Sequence, residues 1–180
     1  GFEKIFEISR NFRNEARDAS HCPEYSAIEW YEAWTDYTDQ MARVEHLIAQ
    51  LAYQVNATPH VQINGFSLDL TPPWQRVRVV DSVAEAIGTS LSELRTLAAA
   101  RTAWQRHCGG DEPPATWGEL VKELFETLVE PTLTRPTFVI DHPIVVSPLT
   151  KPHRADPALV ERFEIYIGGI EVGDAYSEQN

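Results

Sequence analysis

The chain is 180 residues long and 43% hydrophobic, which suits one domain with a sizeable core, and its Gly and Pro content is too low for a low-complexity segment. With 15 basic against 27 acidic residues the formal net charge is −12, which argues against tight binding of a polyanion by this chain alone, since phosphates are held by Lys and Arg. No apolar run reaches the length of a membrane span, the first residues lack a signal-peptide pattern, and Cys22 and Cys108 stand apart without CxxC spacing, so a reduced, cytoplasmic chain free of zinc and disulfides is expected.

Residues 5–31 hold two runs of alternating apolar and polar side chains around a polar loop, the pattern of two antiparallel strands joined by a long connection. In a strand, residues two apart share a face, so Arg13 goes with Glu15 and Glu29 with Tyr31. The loop adds Arg17, Asp18 and His21. Core packing explains such a face poorly, and it reads as a site for a ligand of mixed charge.

Over residues 36–55, Met41, Val44, Leu47, Ile48, Leu51 and Val55 recur at three and four residues, predicting an amphipathic helix. Asn64-Gly65 between two short alternating runs predicts a small hairpin. Residues 74–80 read as extended, with Asp81 capping a short helix that Gly88 ends. Ser90 with Glu93 forms a capping box for a helix reaching about residue 107, and Thr116 with Glu119 opens another with the buried stripe Leu120, Val121, Leu124, Phe125, Leu128 and Val129. These helices form an insertion between two halves of a sheet. Residues 137–140 are a β-branched strand, residues 142–153 a Pro-bearing loop, and residues 163–167 and 170–178 a second hairpin around Gly168-Gly169. The fold class is therefore α+β with a largely antiparallel sheet.

Glu164 and Glu171 fall on facing strands of that second hairpin. Like charges across a ladder destabilise it unless a cation intervenes, and magnesium at nucleotides is held by one or two carboxylates plus phosphates. Asp174, Tyr176 and Glu178 alternate on one strand face. Glu171 has the opposite parity, so a bulge at Gly173 must reset the register if all serve one pocket.

The segment Phe12-Arg13-Asn14-Glu15, then His21-Cys22-Pro23-Glu24-Tyr25, then Ile28-Glu29-Trp30-Tyr31, resembles the second signature motif of class II aminoacyl-tRNA synthetases in its lysyl form. A second match follows in family order through Pro136-Thr137-Phe138, Ser147-Pro148-Leu149, Arg162-Phe163-Glu164, Gly168-Gly169-Ile170-Glu171 and Ala175-Tyr176-Ser177-Glu178. The resemblance implies the class II sheet, with motif-two strands in residues 1–35, a helical and hairpin insertion in 36–135, and lysine- and metal-site strands in 136–180. It implies a parent that activates L-lysine with ATP and transfers it to tRNA(Lys). In that scheme Arg13 takes the α-phosphate as catalytic residue, Glu15 the adenine amino group and His21 the outer phosphates, while Tyr25 stacks on the base. Glu29 takes the α-amino group, Tyr31 and Glu178 the ε-ammonium, Asp174 and Tyr176 complete the lysine pocket, and Glu164 and Glu171 bind Mg2+.

The family's dimer-forming first motif, its anticodon-binding domain and its Gly-rich third motif are not visible, so the chain is expected to be an inactive or nearly inactive piece of a homodimeric parent whose tRNA surface lies elsewhere. Asp174 stands where lysyl enzymes commonly carry Asn or Thr, Val145 where Glu is usual, His142 where an aromatic is usual, and Cys22 where an amide is usual. Two alternatives are a synthetase-like paralogue that attaches a lysine-type group to an elongation factor, and a non-catalytic module derived from a synthetase.

Overall fold

The computed structural model describes residues 1–14 and 22–179, so Glu15 and His21, with Arg17 and Asp18, lie outside the described residues. The chain divides into two compact units, Gly1–Thr35 and Asp36–Asn180. In the first, β1 (Lys4–Phe12) pairs antiparallel with β2 (Glu24–Glu32) in unbroken register from Lys4 opposite Glu32 to Phe12 opposite Glu24. The Arg13 N–H donates to the Pro23 carbonyl at 2.9 Å and prolongs the ladder by one step.

The second unit opens with α1 (Tyr37–Asn56), whose N-cap Asp36 accepts from the Thr38 and Asp39 N–H groups in a capping box with Asp39. The hairpin of β3 (His60–Ile63) and β4 (Phe66–Asp69) turns at Asn64 and Gly65, with φ of 50° and 82°, as a two-residue turn of this hand requires. The Asn64 amide donates to the Gly168 carbonyl at 3.1 Å, tying this turn to the second hairpin. A Cβ on Gly168 would meet Ile63 Cγ2 at 2.8 Å, so that close approach needs glycine.

Four strands form the main sheet: β5 (Gln75–Arg78), β6 (Thr137–Ile140), β9 (Arg162–Ile167) and β10 (Ile170–Tyr176), in the order β10-β9-β6-β5. β5 runs parallel to β6, and the other two pairings are antiparallel. A parallel pair cannot be joined by a tight turn and needs a crossover. That crossover is α2 (Val79–Ile87), α3 (Leu91–Leu94), α4 (Leu97–His107) and α5 (Trp117–Leu128). The insertion thus serves as the link that makes β5 and β6 neighbours. Its core joins Val79, Val83, Leu94, Trp104, Leu120 and Leu124 to Val139 and Tyr166 of the sheet. On the opposite face Trp74 stacks on Phe138 at 5.3 Å and Phe163 meets Phe138 edge-on at 5.1 Å.

Three expectations are corrected. α2 begins at Val79 with Arg78 at its N-cap, because the β5–β6 ladder runs as far as Arg78 opposite Ile140 and the helix starts at once; Asp81 lies in its first turn and is not its cap. The helix expected from Ser90 to about residue 107 is two, because Thr96 takes the Ala99 N–H on its hydroxyl and starts α4 afresh. The loop at 142–153 contains β7 (Pro152–His153), which pairs with the unexpected β8 (Asp156–Val160). The Ser90–Glu93 and Thr116–Glu119 capping boxes and the αL glycine at Gly88 are present.

Two buried acids hold the layers together. Asp141, 3% exposed and at φ 62°, accepts from the Tyr37 hydroxyl at 3.0 Å and pairs with Arg78 Nε at 3.2 Å. Glu161 accepts from Arg154 Nε at 2.6 Å, while Arg154 Nη2 reaches Asp36 at 2.6 Å, so one guanidinium joins the start of α1 to the turn before β9. Among the described residues no helix is long and apolar enough to cross a membrane.

Phe138→Ala removes a ring with no exposed surface, and an unfolding titration is expected to show a loss of about 3–5 kcal/mol. Burial works to raise the Asp36 carboxyl, but the Thr38 hydroxyl, Arg154 and the Thr38 and Asp39 N–H groups outweigh it and bring it from 3.8 down to about 2. A carboxyl depressed on folding stabilises above its ordinary range and loses that contribution as pH falls through the folded value. Melting temperature is therefore expected to drop between about pH 4 and about pH 2, and less steeply in Asp36→Asn, which keeps a capping acceptor without the charge.

Candidate active site

In an antiparallel pair, directly opposed residues share a face. Pairing Ile5 with Tyr31, Glu7 with Glu29 and Asn11 with Tyr25 therefore gathers Tyr25, Glu29 and Tyr31 on one face of the first unit. Arg13, two residues beyond Asn11, has its guanidinium carbon 5.4 Å from the centre of the Tyr25 ring, a cation–π contact. Glu7 lies directly opposite Glu29. Two carboxylates so placed repel, and a cationic ligand group would relieve them. Glu7 escaped the sequence reading, although its parity with Arg13 was there to be read.

In the second unit the pairing of β10 with β9 sets Glu171 opposite Tyr166, Gly173 opposite Ile165, Asp174 opposite Glu164 and Tyr176 opposite Arg162, with a register shift between Glu171 and Gly173. The reset demanded at Gly173 is thus present. One face of the hairpin carries Arg162, Glu164 and Tyr166 from β9 with Glu171, Asp174 and Tyr176 from β10. Glu178 is not on that strand. β10 ends at Tyr176, where its partner β9 begins, and Glu178 instead makes an isolated bridge to Thr150. The expected alternation of three residues stops at two because the partner strand runs out.

Arg162 ties this face together. Its Nη2 lies 3.0 Å from Glu164 Oε1 and 3.2 Å from Asp174 Oδ2, and its Nη1 donates to Ser147 Oγ at 2.6 Å. Tyr166 Oη donates to Glu164 Oε2 at 3.5 Å. The face is crowded with acid. Desolvation first, then the charges of Glu164 and Asp174, push the Glu171 carboxyl up to about 7. Burial raises Glu164 as well, against the pull of Arg162. Glu130, next to α5, is raised by burial and by Glu126 and Glu164.

The departures from the family pattern have local accounts. His142 is buried, with Nε2 3.1 Å from the Val139 carbonyl, which can only accept, so that nitrogen carries the proton. Its Nδ1 faces Glu164 at 4.0 Å, and burial followed by the Arg162 charge pushes the imidazole down to about 4, so the ring is neutral. Val145 packs on α5, where a Cβ on Gly118 would come within 2.5 Å of its Cγ1. Asp174 has a counter-charge in Arg162, which the sequence reading quoted in its motif without giving it a role.

Among the described residues no group of three or more His, Cys, Asp or Glu side chains forms a cage that could hold a metal ion. Magnesium at nucleotides needs only one or two carboxylates with phosphates completing the shell, and Glu164 and Glu171 offer hard oxygen donors on one face. Burial first, then the Glu164 and Asp174 charges, raise the Glu171 carboxyl, and a cation would offset the part due to those charges. The donor set fits a magnesium ion whose remaining ligands are phosphate oxygens.

The family model of tRNA synthetases class II (D, K and N) matches residues 1–180, and the chain belongs to that family. Within it, the chain is similar to lysine–tRNA ligases. It is 45% identical to that of Thermosynechococcus vestitus over 99% of this chain and 35% of that protein. The identity is 46% to that of Nostoc punctiforme, over 99% of this chain and 32% of the relative, and 41% to that of Pelotomaculum thermopropionicum, over 100% and 36%. The chain thus spans about a third of the length of the curated relatives it matches.

Removing one of the crowded carboxylates should relieve repulsion in the metal-free chain. Glu171→Gln is expected to raise the melting temperature by about 2–4 °C, the shift that about 1 kcal/mol produces at this size. An unchanged or lower value, read by circular dichroism in a chelator, would show that the acids on this face do not strain the fold.

Proposed function

We propose that this chain supplies the lysine- and ATP-binding surface of a lysine–tRNA ligase, where lysyl-adenylate is formed before transfer to tRNA(Lys). The observation that carries the reading is the carboxylate face of the second hairpin, where a register shift between Glu171 and Gly173 brings Glu171 to the face of Glu164. The identity to lysine–tRNA ligases across the whole chain supports it.

In adenylation a lysine carboxylate oxygen bonds to the α-phosphorus of ATP, the bond to the bridging oxygen of the β-phosphate breaks, and pyrophosphate leaves. Arg13 would bind the α-phosphate as a guanidinium fork and stabilise the charge that builds there. Tyr25 would lie along the adenine. Glu29, opposite Glu7, would accept from the α-ammonium; Tyr31 and Glu178 belong to the proposal by resemblance alone, as contacts to the ε-ammonium, a compact charge held only when paired. Tyr176 and Asp174 would line the pocket, with Asp174 kept from repelling the substrate carboxylate by Arg162. Glu164 and Glu171 would hold magnesium, which when bound offsets phosphate charge. Glu15 and His21 belong to the proposal by resemblance alone, as contacts to the adenine amino group and the outer phosphates. tRNA contacts and homodimer formation are assigned to regions matching the remainder of the longer relatives, and a cytoplasmic setting goes with that role.

Calorimetric titration with a non-hydrolysable lysyl-adenylate analogue in magnesium tests the reading, on this chain and on the full-length protein that carries it. Binding to the full-length protein that Glu29→Gln weakens at least about tenfold is the expected result, the loss of a charge-assisted bond. Undiminished binding in that variant, or none in the full-length protein, would sink the assignment.

A further inference from the structure

Glu164 and Asp174 face each other directly across β9 and β10, and between them lies one nitrogen, Arg162 Nη2, at 3.0 Å from Glu164 Oε1 and 3.2 Å from Asp174 Oδ2. Nη1 of the same guanidinium is anchored on Ser147 Oγ at 2.6 Å, and Ser147 is 6% exposed, so the fork is held from behind. Arg162 Nε is buried and has no hydrogen-bond partner, a cost accepted for putting the other two nitrogens where they are. Two opposed carboxylates bridged by a single donor nitrogen is the arrangement a divalent cation would otherwise make.

We propose that Arg162 is a positioning residue that fills this seat, and so confines any divalent cation to the Glu164 Oε2 and Glu171 side of the face. The inference rests on the assignment of Glu164 and Glu171 proposed above. Glu164 Oε1 and Asp174 Oδ2 are turned to the guanidinium, while Oε2, which accepts from Tyr166 Oη at 3.5 Å, keeps a second lone pair for a metal. Asp174 is held out of the metal's shell although it stands opposite a metal-binding glutamate. Arg162 therefore decides which two of the three carboxylates on the face serve the ion.

Manganese, a paramagnetic substitute for magnesium, counts the ions directly. The full chain is titrated with Mn2+ and the free ion followed by electron paramagnetic resonance. Arg162→Met is expected to bind about one ion more per chain than the unsubstituted protein, and Arg162→Met with Asp174→Asn to lose the extra one, because a divalent cation takes carboxylate oxygens and these two carboxylates oppose each other across the ladder. Arg162→Lys, which keeps the charge, is expected to bind no extra ion. Equal counts for Arg162→Met and the unsubstituted chain overturn the inference, as does an extra ion that survives Asp174→Asn. Arg162→Gln supplies the same comparison if Arg162→Met does not fold, which circular dichroism reports. Glu171→Gln in the otherwise unsubstituted chain tests the underlying assignment separately. Its failure to lower the count speaks against that assignment alone, since the Arg162 result is a difference between two chains.

Discussion

A single extra residue in β10, Val172, changes what the second hairpin can do. Strict two-residue alternation would leave Glu171 on the face away from Asp174 and Tyr176, buried in the wrong layer or pointing past the sheet. The register shift between Glu171 and Gly173 returns it to the face of Glu164. The grouping of Glu164, Glu171 and Asp174 on one face, with Arg162 between two of them, depends on that step. A bulge costs a ladder bond, and glycine next to it tolerates the distorted backbone.

The hairpin of the first unit reaches its constellation by the opposite route. There the register is unbroken over nine pairs, and plain pleat geometry puts Tyr25, Glu29 and Tyr31 on the face that Arg13 continues. Regular pairing suits a surface whose groups lie in a row. The acidic face needs convergence on a point, and a bulge supplies it. Chain belonging to the class II tRNA synthetase family therefore presents two polar strand faces built by different means.

Local signals were legible in the sequence. Asn64-Gly65 names its turn through positive φ, and Ser90 with Glu93 or Thr116 with Glu119 names a helix start, because the partners lie within four residues. Parity arithmetic on Glu171 and Asp174 asked for the bulge on the condition that both serve one pocket. What escaped was set by distant partners: the parallel pairing of β5 with β6, the two-residue β7, and the end of β10 at the point where β9 gives out, which leaves Glu178 on a bridge to Thr150. Arg162 was visible as a letter in a motif, but its role as counter-charge to Asp174 appears only once both strands are laid side by side.

The parallel pair also governs how the second unit can assemble. Gln75 meets Thr137, so β5 must wait while about 60 residues intervene, whereas β9 and β10 meet across a two-residue turn. Closing a loop of that length costs entropy before any contact repays it, and chains dominated by such contacts fold slowly. On a ribosome β5 emerges first and stays an unpaired edge, with α2 to α5 free to pack on one another before β6 arrives to receive it. The helical crossover thus leaves the ribosome ahead of the strand that completes the parallel pair.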